Sequence, residues 1–233
     1  MATGWHEKRW QRNISHSIWE ENGFTSYFAN KSRKSRYNIK KEMSRLEENG
    51  HLVVTQFRRG EINEKIINRI AEIQKKGWLI RLGVERINSS FQKEIIKSLA
   101  EDNLSEVFIL SKGSKDIAYI LNYYDKTNSY CISIGFDEEY ESLSPGKVLM
   151  ANCIRYILDR GIKDYDFLLG DGEYKRFWGN RTKIILCSIC FKGFGGWILS
   201  WYPYRIHGFL REYKFAKNVF AKAEGILARR GIQ

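Results

Sequence analysis

The sequence contains few of the residues that mark secreted, metal-binding or membrane-spanning proteins. Its 233 residues include two prolines, four cysteines and four histidines. Four dispersed cysteines do not form the disulfide framework of a small secreted domain, and no apolar run approaches the ~20 residues that span a bilayer. The N-terminus, MATGWHEKRWQRN, has no apolar segment of the kind found in secretory signals. We therefore expect a protein of the reducing cytoplasm.

Metal and hydrolase motifs are also missing from the sequence. Cys187 and Cys190 form a C-x-x-C pair, but in a strand-like run residues three apart point to opposite faces. The histidines do not cluster: they are His6, His16, His51 and His207. No serine elbow, Walker loop or H-E-x-x-H motif is present. We therefore expect no metal site.

Positive charge is in excess along the chain. There are 39 Lys and Arg residues against 27 Asp and Glu residues, a formal net charge of +12. Nucleic acid, an acidic membrane surface and a polyphosphate cofactor are all favoured partners, and charge alone does not choose among them. With 43% hydrophobic and 14% aromatic residues, the composition is that of a globular protein.

The order of periodic segments predicts a mixed α/β fold. Helices are expected at 32–49, at 63–76 and from Ser89 or Ser90 through Leu99, and a further one opens at Ser144. Strands are expected at 51–57, 106–110, 116–124, 130–136, 165–169 and 183–191. Short polar turns join the strands between 106 and 136, as in an antiparallel meander. The helix between the strands at 130–136 and 165–169 is a crossover, which favours parallel pairing.

The start of that crossover helix is the clearest candidate for a binding site. Ser144 is a good N-cap, Pro145 suits the first helical position, and Gly146 follows in the first turn. Backbone amides at the positive end of a helix dipole favour a phosphate group. An ordinary core helix also begins in this way, so both interpretations stay open on the local sequence.

The two ends of the chain differ from the central part, residues 32–192. Residues 1–31 hold Trp5, Trp10 and Trp19 and predict an aromatic extension that packs in part. Residues 193–233 combine an apolar helical seam with many basic residues. That segment either docks its seam on the protein body or lies as a basic amphipathic helix on an anionic membrane.

Three segments, in their order along the chain, resemble the GNAT N-acyltransferases: SRYNIKKEMSRLE, GFDEEYESLSPGKVLM and DFLLGDGEYKRFW. The chain is most similar to the branch named after CelD, a cellulose-biosynthesis-associated protein, which is related to the FemAB-type peptidyl transferases. The resemblance runs from about Asn22 to Lys192. It implies a GNAT-like fold, an antiparallel meander plus one parallel crossover, with N-terminal and C-terminal helical extensions. Relatives in this branch often carry a further α/β half before the segment seen here.

The resemblance implies a binding site for an acyl-CoA. Its pantetheine is expected along the end of the strand at Ile134, Gly135 and Phe136. The diphosphate is expected on the following turn, where the family pattern Q/R-x-x-G-x-G/A places Gly146 at the last glycine and Ser144 at the earlier one. Glu141 stands where the pattern has Arg or Gln, and Pro145 removes one amide donor. Lys147 and Val148 each add a backbone amide to that of Gly146.

Candidate catalytic residues follow the strand at 165–169. The resemblance implies that Tyr174 is the general acid; the alternative is that it packs like the other tyrosines of the chain. Asp171, Glu173 and Asp166 are the nearby carboxylates that could steer the amine or accept its proton. Lys175 is a candidate for a phosphate or an acceptor carboxylate. Asp166, in mid-strand, needs a partner such as Lys175 or Arg176 if it is buried. Trp178 lines the acceptor pocket or packs in the core.

The expected activity is transfer of an acyl group, most simply acetyl, from acyl-CoA to a primary amine of an amino sugar, amino acid or similar polar molecule. The alternatives are a FemAB-like transferase that uses charged tRNA, which the basic helix at 33–45 would suit, and a non-catalytic module. Such a module would bind membrane or nucleic acid through basic patches.

Overall fold

The computed structural model describes residues 5–48, 52–77, 80, 87 and 89–192. The chain divides into two compact units, one of residues 13–184 and one of residues 1–12 together with 185–233. Every residue of the two hydrophobic cores belongs to the first unit. The predicted basic C-terminal helix, within 193–233, lies outside the described residues.

Seven strands of the described residues form one mixed sheet in the order β2-β3-β4-β5-β6-β1-β7. They are β1 (Trp5–Trp19), β2 (Leu52–Arg58), β3 (Ser105–Lys112), β4 (Lys115–Tyr124), β5 (Asn128–Phe136), β6 (Asp164–Leu169) and β7 (Arg181–Lys192). β3 to β5 form the expected antiparallel meander, and β2 pairs antiparallel with β3. β5 and β6 are parallel, as the crossover predicted, and β1 runs antiparallel to β6.

The helices of the described residues cover both faces of the sheet. They are α1 (Gly23–Ala29), α2 (Arg33–Glu48), α3 (Glu64–Lys75), α4 (Ser90–Glu101), α5 (Pro145–Asp159) and α6 (Glu173–Trp178). Two of the predicted starts have their capping hydrogen bond: the side chain of Asn63 accepts from the amide of Ile66, and that of Ser89 from the amide of Gln92. No helix among these residues is both long enough and apolar enough to cross a bilayer.

Alternation along the central strands divides the core into two layers. On β4, Ile120 packs with α1, α2 and α5, whereas Tyr119 and Leu121 pack with α3 and α4. Successive side chains of a strand point to opposite faces, so a strand buried on both sides supplies both cores. Helix α5 is the main element of the first core and places its N-terminus beside the end of β5.

The N-terminal segment differs from its prediction. The sequence predicted a helical aromatic extension over 1–31, but Trp5–Trp19 form strand β1, followed by the short helix Gly23–Ala29. β1 lies between β6 and β7, so this part of the chain is within the sheet. The buried positions include Ser15 and Ser17, and polar residues at buried positions conceal the alternation that identifies a strand.

Candidate active site

The sheet opens between β5 and β6. Their parallel pairing joins residues 128–130 to residues 164–166, and among the described residues the ladder goes no further. Residues 131–136 of β5 and 167–169 of β6 therefore diverge from each other. A wedge-shaped opening results at the end of β5, next to the start of helix α5.

Irregular backbone on both strands accompanies this divergence. In β5, Leu121 of β4 pairs with Ser133 and Asn122 with Cys131, so Ile132 is the extra residue of a bulge. In β6, Leu168 has a φ of 60°. A bulge bends a strand and increases its local twist, and a left-handed residue breaks the extended path. Both strands thus turn away from regular pairing where the opening begins.

The backbone of β5 presents hydrogen-bonding groups to the opening. The amide of Asp137 donates to the carbonyl of Ile117 at 2.9 Å, in register with the pair Ala118 and Phe136. In an antiparallel ladder, hydrogen-bonded residues alternate with residues whose N–H and C=O point the other way. Ile134 and Phe136 accordingly direct their backbone groups away from β4 and toward the opening.

The turn before α5 is a 3-10 helix, Glu138–Leu143, followed by Ser144. Ser144 has a left-handed φ of 53°. That conformation favours glycine, which gives a physical reason for a glycine at this position in the family pattern. Ser144 is the N-cap residue but its side chain makes no capping hydrogen bond.

The first turn of α5 offers fewer amides than the sequence suggested. The amides of Lys147 and Val148 donate to the carbonyl of Ser144, at 3.0 and 3.3 Å. Pro145 has no amide hydrogen. Of the three expected donors, the amide of Gly146 is the one without a hydrogen-bond partner among the described residues.

Gly135 and Gly146 are glycines for different structural reasons. A Cβ atom at Gly135 would lie 2.5 Å from a ring carbon of Tyr119, so the fold itself requires glycine there. A Cβ atom at Gly146 would lie 3.4 Å from Phe136 and 3.9 Å from Ile134, which are ordinary contacts. Packing does not demand glycine at 146, and its absent side chain leaves room for a ligand against the amide.

Glu141 is exposed in the 3-10 turn before α5. Its side chain makes no hydrogen bond or ion pair with the described residues. Its backbone carbonyl accepts a hydrogen bond from the amide of Ser144 at 2.9 Å. A carboxylate with no partner among these residues thus stands where the family pattern has a cation or an amide.

Two lysines approach one ring next to this turn. The ammonium of Lys147 lies 5.6 Å from the ring centre of Phe177, and that of Lys31 lies 5.7 Å from the same centre. Lys31 also donates to the carbonyls of Phe177 and Trp178, and burial lowers its pKa to about 8. Sequence reasoning missed Lys31, since it lies between helices and no motif marks it.

Lys175 has a structural position. It is 9% exposed, and its ammonium donates to the carbonyls of Leu168 and Leu169 at 3.2 and 2.6 Å. These carbonyls belong to the end of β6, where regular pairing stops. Lys175 thus satisfies buried acceptors that would otherwise be costly, which leaves it poorly placed for the phosphate contact predicted from the sequence.

Asp171 is held on two sides. Its carboxylate lies 2.9 Å from Nε2 of His16 and 2.8 Å from the guanidinium of Arg176. The other ring nitrogen of His16, Nδ1, lies 3.2 Å from the hydroxyl of Thr182. Hydrogen bonds from His16 and Arg176 lower the pKa of Asp171. A stabilised carboxylate is a weaker base, so the geometry favours an orienting role for Asp171.

Glu173 and Tyr174 begin helix α6 at the β6 side of the opening. Glu173 is exposed and makes no hydrogen bond or ion pair with the described residues. Tyr174 is 39% exposed, and its ring packs edge-on to Phe167 at 6.2 Å. All three predicted catalytic side chains are exposed, and Asp171 differs from the other two in being held by two ionic partners.

The structure decides two further predictions, those for Asp166 and Trp178. Asp166 is buried and does have a cation, but the partner is Lys183 at 2.9 Å, with a further hydrogen bond from Ser15; the predicted partners Lys175 and Arg176 were wrong. Lys183 lies on another strand, so proximity along the chain does not identify it as the partner of Asp166. Trp178 is 2% exposed, so it belongs to the core and does not line a pocket.

Two surface cavities lie away from the opening. One of about 700 Å³ is lined by α3 and the turn between β3 and β4, and one of about 440 Å³ lies between α5 and strands β2 and β3. The first is lined largely by charged side chains that pair with one another, including Arg69 and Asp116 at 2.7 Å. Neither has the free backbone groups of the opening. The described residues contain no cluster of ligands for a metal ion.

We expect alanine at the two glycines to affect folding very differently. Gly135→Ala should lower the free energy of unfolding by about 1–3 kcal/mol, the range for overpacking, because the new methyl group collides with the ring of Tyr119. Gly146→Ala should leave it within about 0.5 kcal/mol of the parent. Urea unfolding followed by tryptophan fluorescence measures both values. Equal losses in the two variants would contradict the steric assignment.

Comparison with solved structures shows the same fold at low identity. FemX superposes with a TM-score of 0.64 at 13% identity, over 88% of this chain and 69% of that one. The C-terminal domain (DUF2156) of a protein described as a lysylphosphatidylglycerol synthetase from Agrobacterium fabrum gives 0.53 at 13% identity, over 73% and 50%. L-PGS from Bacillus licheniformis gives 0.51 at 9% identity, over 70% and 46%. This chain thus spans half or less of the length of the last two.

The sequence itself identifies the family. A search of curated protein sequences gave no significant match. Residues 33–176, more than half of the chain, match the family model for the acetyltransferase (GNAT) domain. These residues contain β5, the turn at Ser144, helix α5, β6 and most of α6. The chain therefore belongs to the GNAT acetyltransferase family.

Proposed function

We propose that this protein is an N-acyltransferase that transfers an acyl group, most simply acetyl, from acyl-CoA to a primary amine of a small polar substrate such as an amino sugar or amino acid. The observation that carries the proposal is the opening between β5 and β6, whose edge at Ile134 and Phe136 presents backbone donors and acceptors. An extended amide-bearing chain such as pantetheine can pair with such an edge as a further strand would.

The diphosphate of the donor would lie at the start of α5. The amide of Gly146 is available there, and the helix dipole adds favourable charge. Lys147, whose ammonium lies 5.6 Å from the ring centre of Phe177, supplies a cation close to the turn. This lysine offsets the loss of the cation or amide that Glu141 replaces.

Acyl transfer needs a positioned amine more than it needs covalent help. The amine nitrogen must lie about 3 Å from the thioester carbonyl carbon, where it forms the new C–N bond as the C–S bond breaks. The amine gives its proton to a base, and the departing thiolate takes a proton from an acid. A β5 amide directed into the opening, at Ile134 or Phe136, would donate to the oxyanion.

Three residues of the turn and helix after β6 would divide the proton chemistry. Tyr174 would protonate the thiolate, as its exposed ring next to β6 allows. Glu173 would accept the amine proton, because its carboxylate is exposed and unpaired among the described residues. Asp171, fixed by His16 and Arg176, would orient the amine by charge. The narrower assignment to the CelD-like branch rests on the three sequence segments and stays a prediction.

Donor binding is expected to stabilise the protein. A ligand present at 100 times its Kd adds about 2.7 kcal/mol, which corresponds to a rise in Tm of about 5–10 °C for a chain of this size. Differential scanning fluorimetry with acetyl-CoA, succinyl-CoA and a long-chain acyl-CoA measures this shift. Gly146→Val should weaken binding by about tenfold, or 1.4 kcal/mol, because a branched side chain, larger than the Ala that the family pattern allows, fills the space in front of the amide.

The matched control for that experiment is Gly60→Val. A Cβ atom there meets no atom within 4 Å, and the residue lies in the 3-10 turn after β2. This variant should bind each CoA ester as the parent does. No shift in Tm with any of the esters would contradict an acyl-CoA donor and would favour the charged-tRNA alternative.

Removing the Tyr174 hydroxyl should affect turnover more than binding. Tyr174→Phe keeps the ring against Phe167, so KM should stay within about twofold while kcat falls by about 100-fold, the lower range for a general acid. Release of the CoA thiol with a panel of amino sugars and amino acids measures both constants. Tyr156→Phe is the control, because this ring lies between α5 and β3, where it packs on Phe108, and is not part of the opening. A parent-like kcat in Tyr174→Phe would remove the acid role.

A further inference from the structure

Helix α2 presents an unusual exposed face. Tyr37 is 64% exposed, and the residues three and four positions away on either side are Arg33, Lys34, Lys40 and Lys41. Residues at these spacings are neighbours on a helix surface. One exposed aromatic ring therefore lies within a frame of four cations.

This frame has no partners in the part of the chain that the structure describes. All four basic side chains are exposed, and none forms a hydrogen bond or an ion pair with the described residues. The sequence from residue 33 to residue 41 contains no acidic residue. The charges therefore repel one another and gain nothing from the fold.

The position of these charges on the helix is unfavourable as well. The first turn of α2 contains Arg33, Lys34 and Arg36 and no acidic residue. Cations at a helix N-terminus oppose the helix dipole, which favours Asp and Glu there. The arrangement works against the stability of α2, so a ligand outside the chain is the simplest reason for it.

The face is nevertheless held rigidly. The hydroxyl of Ser32 caps α2 by accepting from the amide of Ser35 at 3.1 Å. Ile39, on the opposite side, is 2% exposed in the core with α5. Arg36 donates to the carbonyl of Lys31 at 2.9 Å. The helix backbone that carries the ring and the cations is therefore fixed by its cap and by core packing.

The combination of ring and cations fits a single-stranded nucleic acid. Phosphates pair with the four cations, and an unpaired base stacks on the exposed ring. A duplex keeps its bases stacked inside and offers only phosphates. A membrane surface would need an apolar face of several large side chains, whereas this face has one tyrosine among charges.

We propose that the exposed face of α2, defined by Arg33, Lys34, Tyr37, Lys40 and Lys41, binds a single-stranded nucleic acid segment, with a base stacked on Tyr37. This inference is independent of the acyl donor, because none of the five residues belongs to the β5–β6 opening.

Fluorescence anisotropy of the full chain with labelled ten-nucleotide oligoadenylate, as RNA and as DNA, tests the proposal. A blunt-ended duplex of similar charge, which has no unpaired bases, is the comparison ligand. Tyr37→Ala should weaken binding of the single strands by about 5-fold or more, the effect of one lost stacking contact. Binding of the duplex should stay within about twofold, and Tyr37→Phe should restore single-strand binding.

A charge-matched pair of variants separates this face from general positive charge. Lys40→Gln with Lys41→Gln should reduce the slope of log K against log salt by about 1.4, or 0.7 for each lost phosphate contact. Lys93→Gln with Lys97→Gln, on α4, removes the same charge and should leave the slope unchanged. Thermal unfolding confirms that each variant folds.

Three results would overturn the proposal. Equal losses in the two lysine variants would show attraction by net charge alone. Parent-like single-strand binding by Tyr37→Ala would remove the stacking contact. Binding of phosphatidylglycerol vesicles that depends on α2, without binding of the oligonucleotides, would assign the face to a membrane.

Discussion

The early end of the hydrogen-bond ladder between β5 and β6 is the constraint on which the rest of the site depends. Three residue pairs join the strands, and after them each strand keeps a partner on its other side only. An exposed strand edge usually invites unwanted pairing. Here the unpaired edge lies inside the sheet, beside the start of helix α5, which restricts the molecules that can reach it. Under the proposed function, an extended ligand would complete the backbone pairing of this edge.

Several buried polar contacts make that opening possible. The carbonyls at the end of β6 have lost a strand partner, and the ammonium of Lys175 takes that partner's place. Asp171, just beyond, is fixed by His16 from β1 and by Arg176. Buried acceptors without partners would cost more than the open geometry could tolerate. These side chains hold the irregular backbone, while Glu173 and Tyr174 remain accessible.

The local sequence pattern predicted most of the fold, because the central helices and strands follow the usual rules of capping and alternation. Asn63 and Ser89 cap helices as their residue types indicate, and the alternation in β3 to β5 gave the meander. β1 could not be predicted in this way, since it lies between β6 and β7 and buries Ser15 and Ser17. Its partners are about 150 residues away in sequence, and no local signal encodes that pairing.

The site was predictable to a similar degree. The Ser144 turn and the end of β5 are local features, and the family resemblance pointed to both. The roles of Lys175 and Lys31 depend on helices and strands from distant parts of the chain, so sequence reasoning gave one a phosphate contact and missed the other. The same limit explains Asp166, whose partner Lys183 reaches it from β7. Distant charge pairs follow from topology rather than from spacing.

The central claim is that the edge of β5 and the turn at Gly146 together hold an acyl-CoA. Amide hydrogen exchange, read by NMR with and without acetyl-CoA, tests it at single residues. The amides of Ile134, Phe136 and Gly146 should exchange fast in the free protein and become protected when acetyl-CoA is added. The amide of Gly135, already directed toward β4, should change little. Binding of acetyl-CoA that leaves all three amides unprotected would contradict the account.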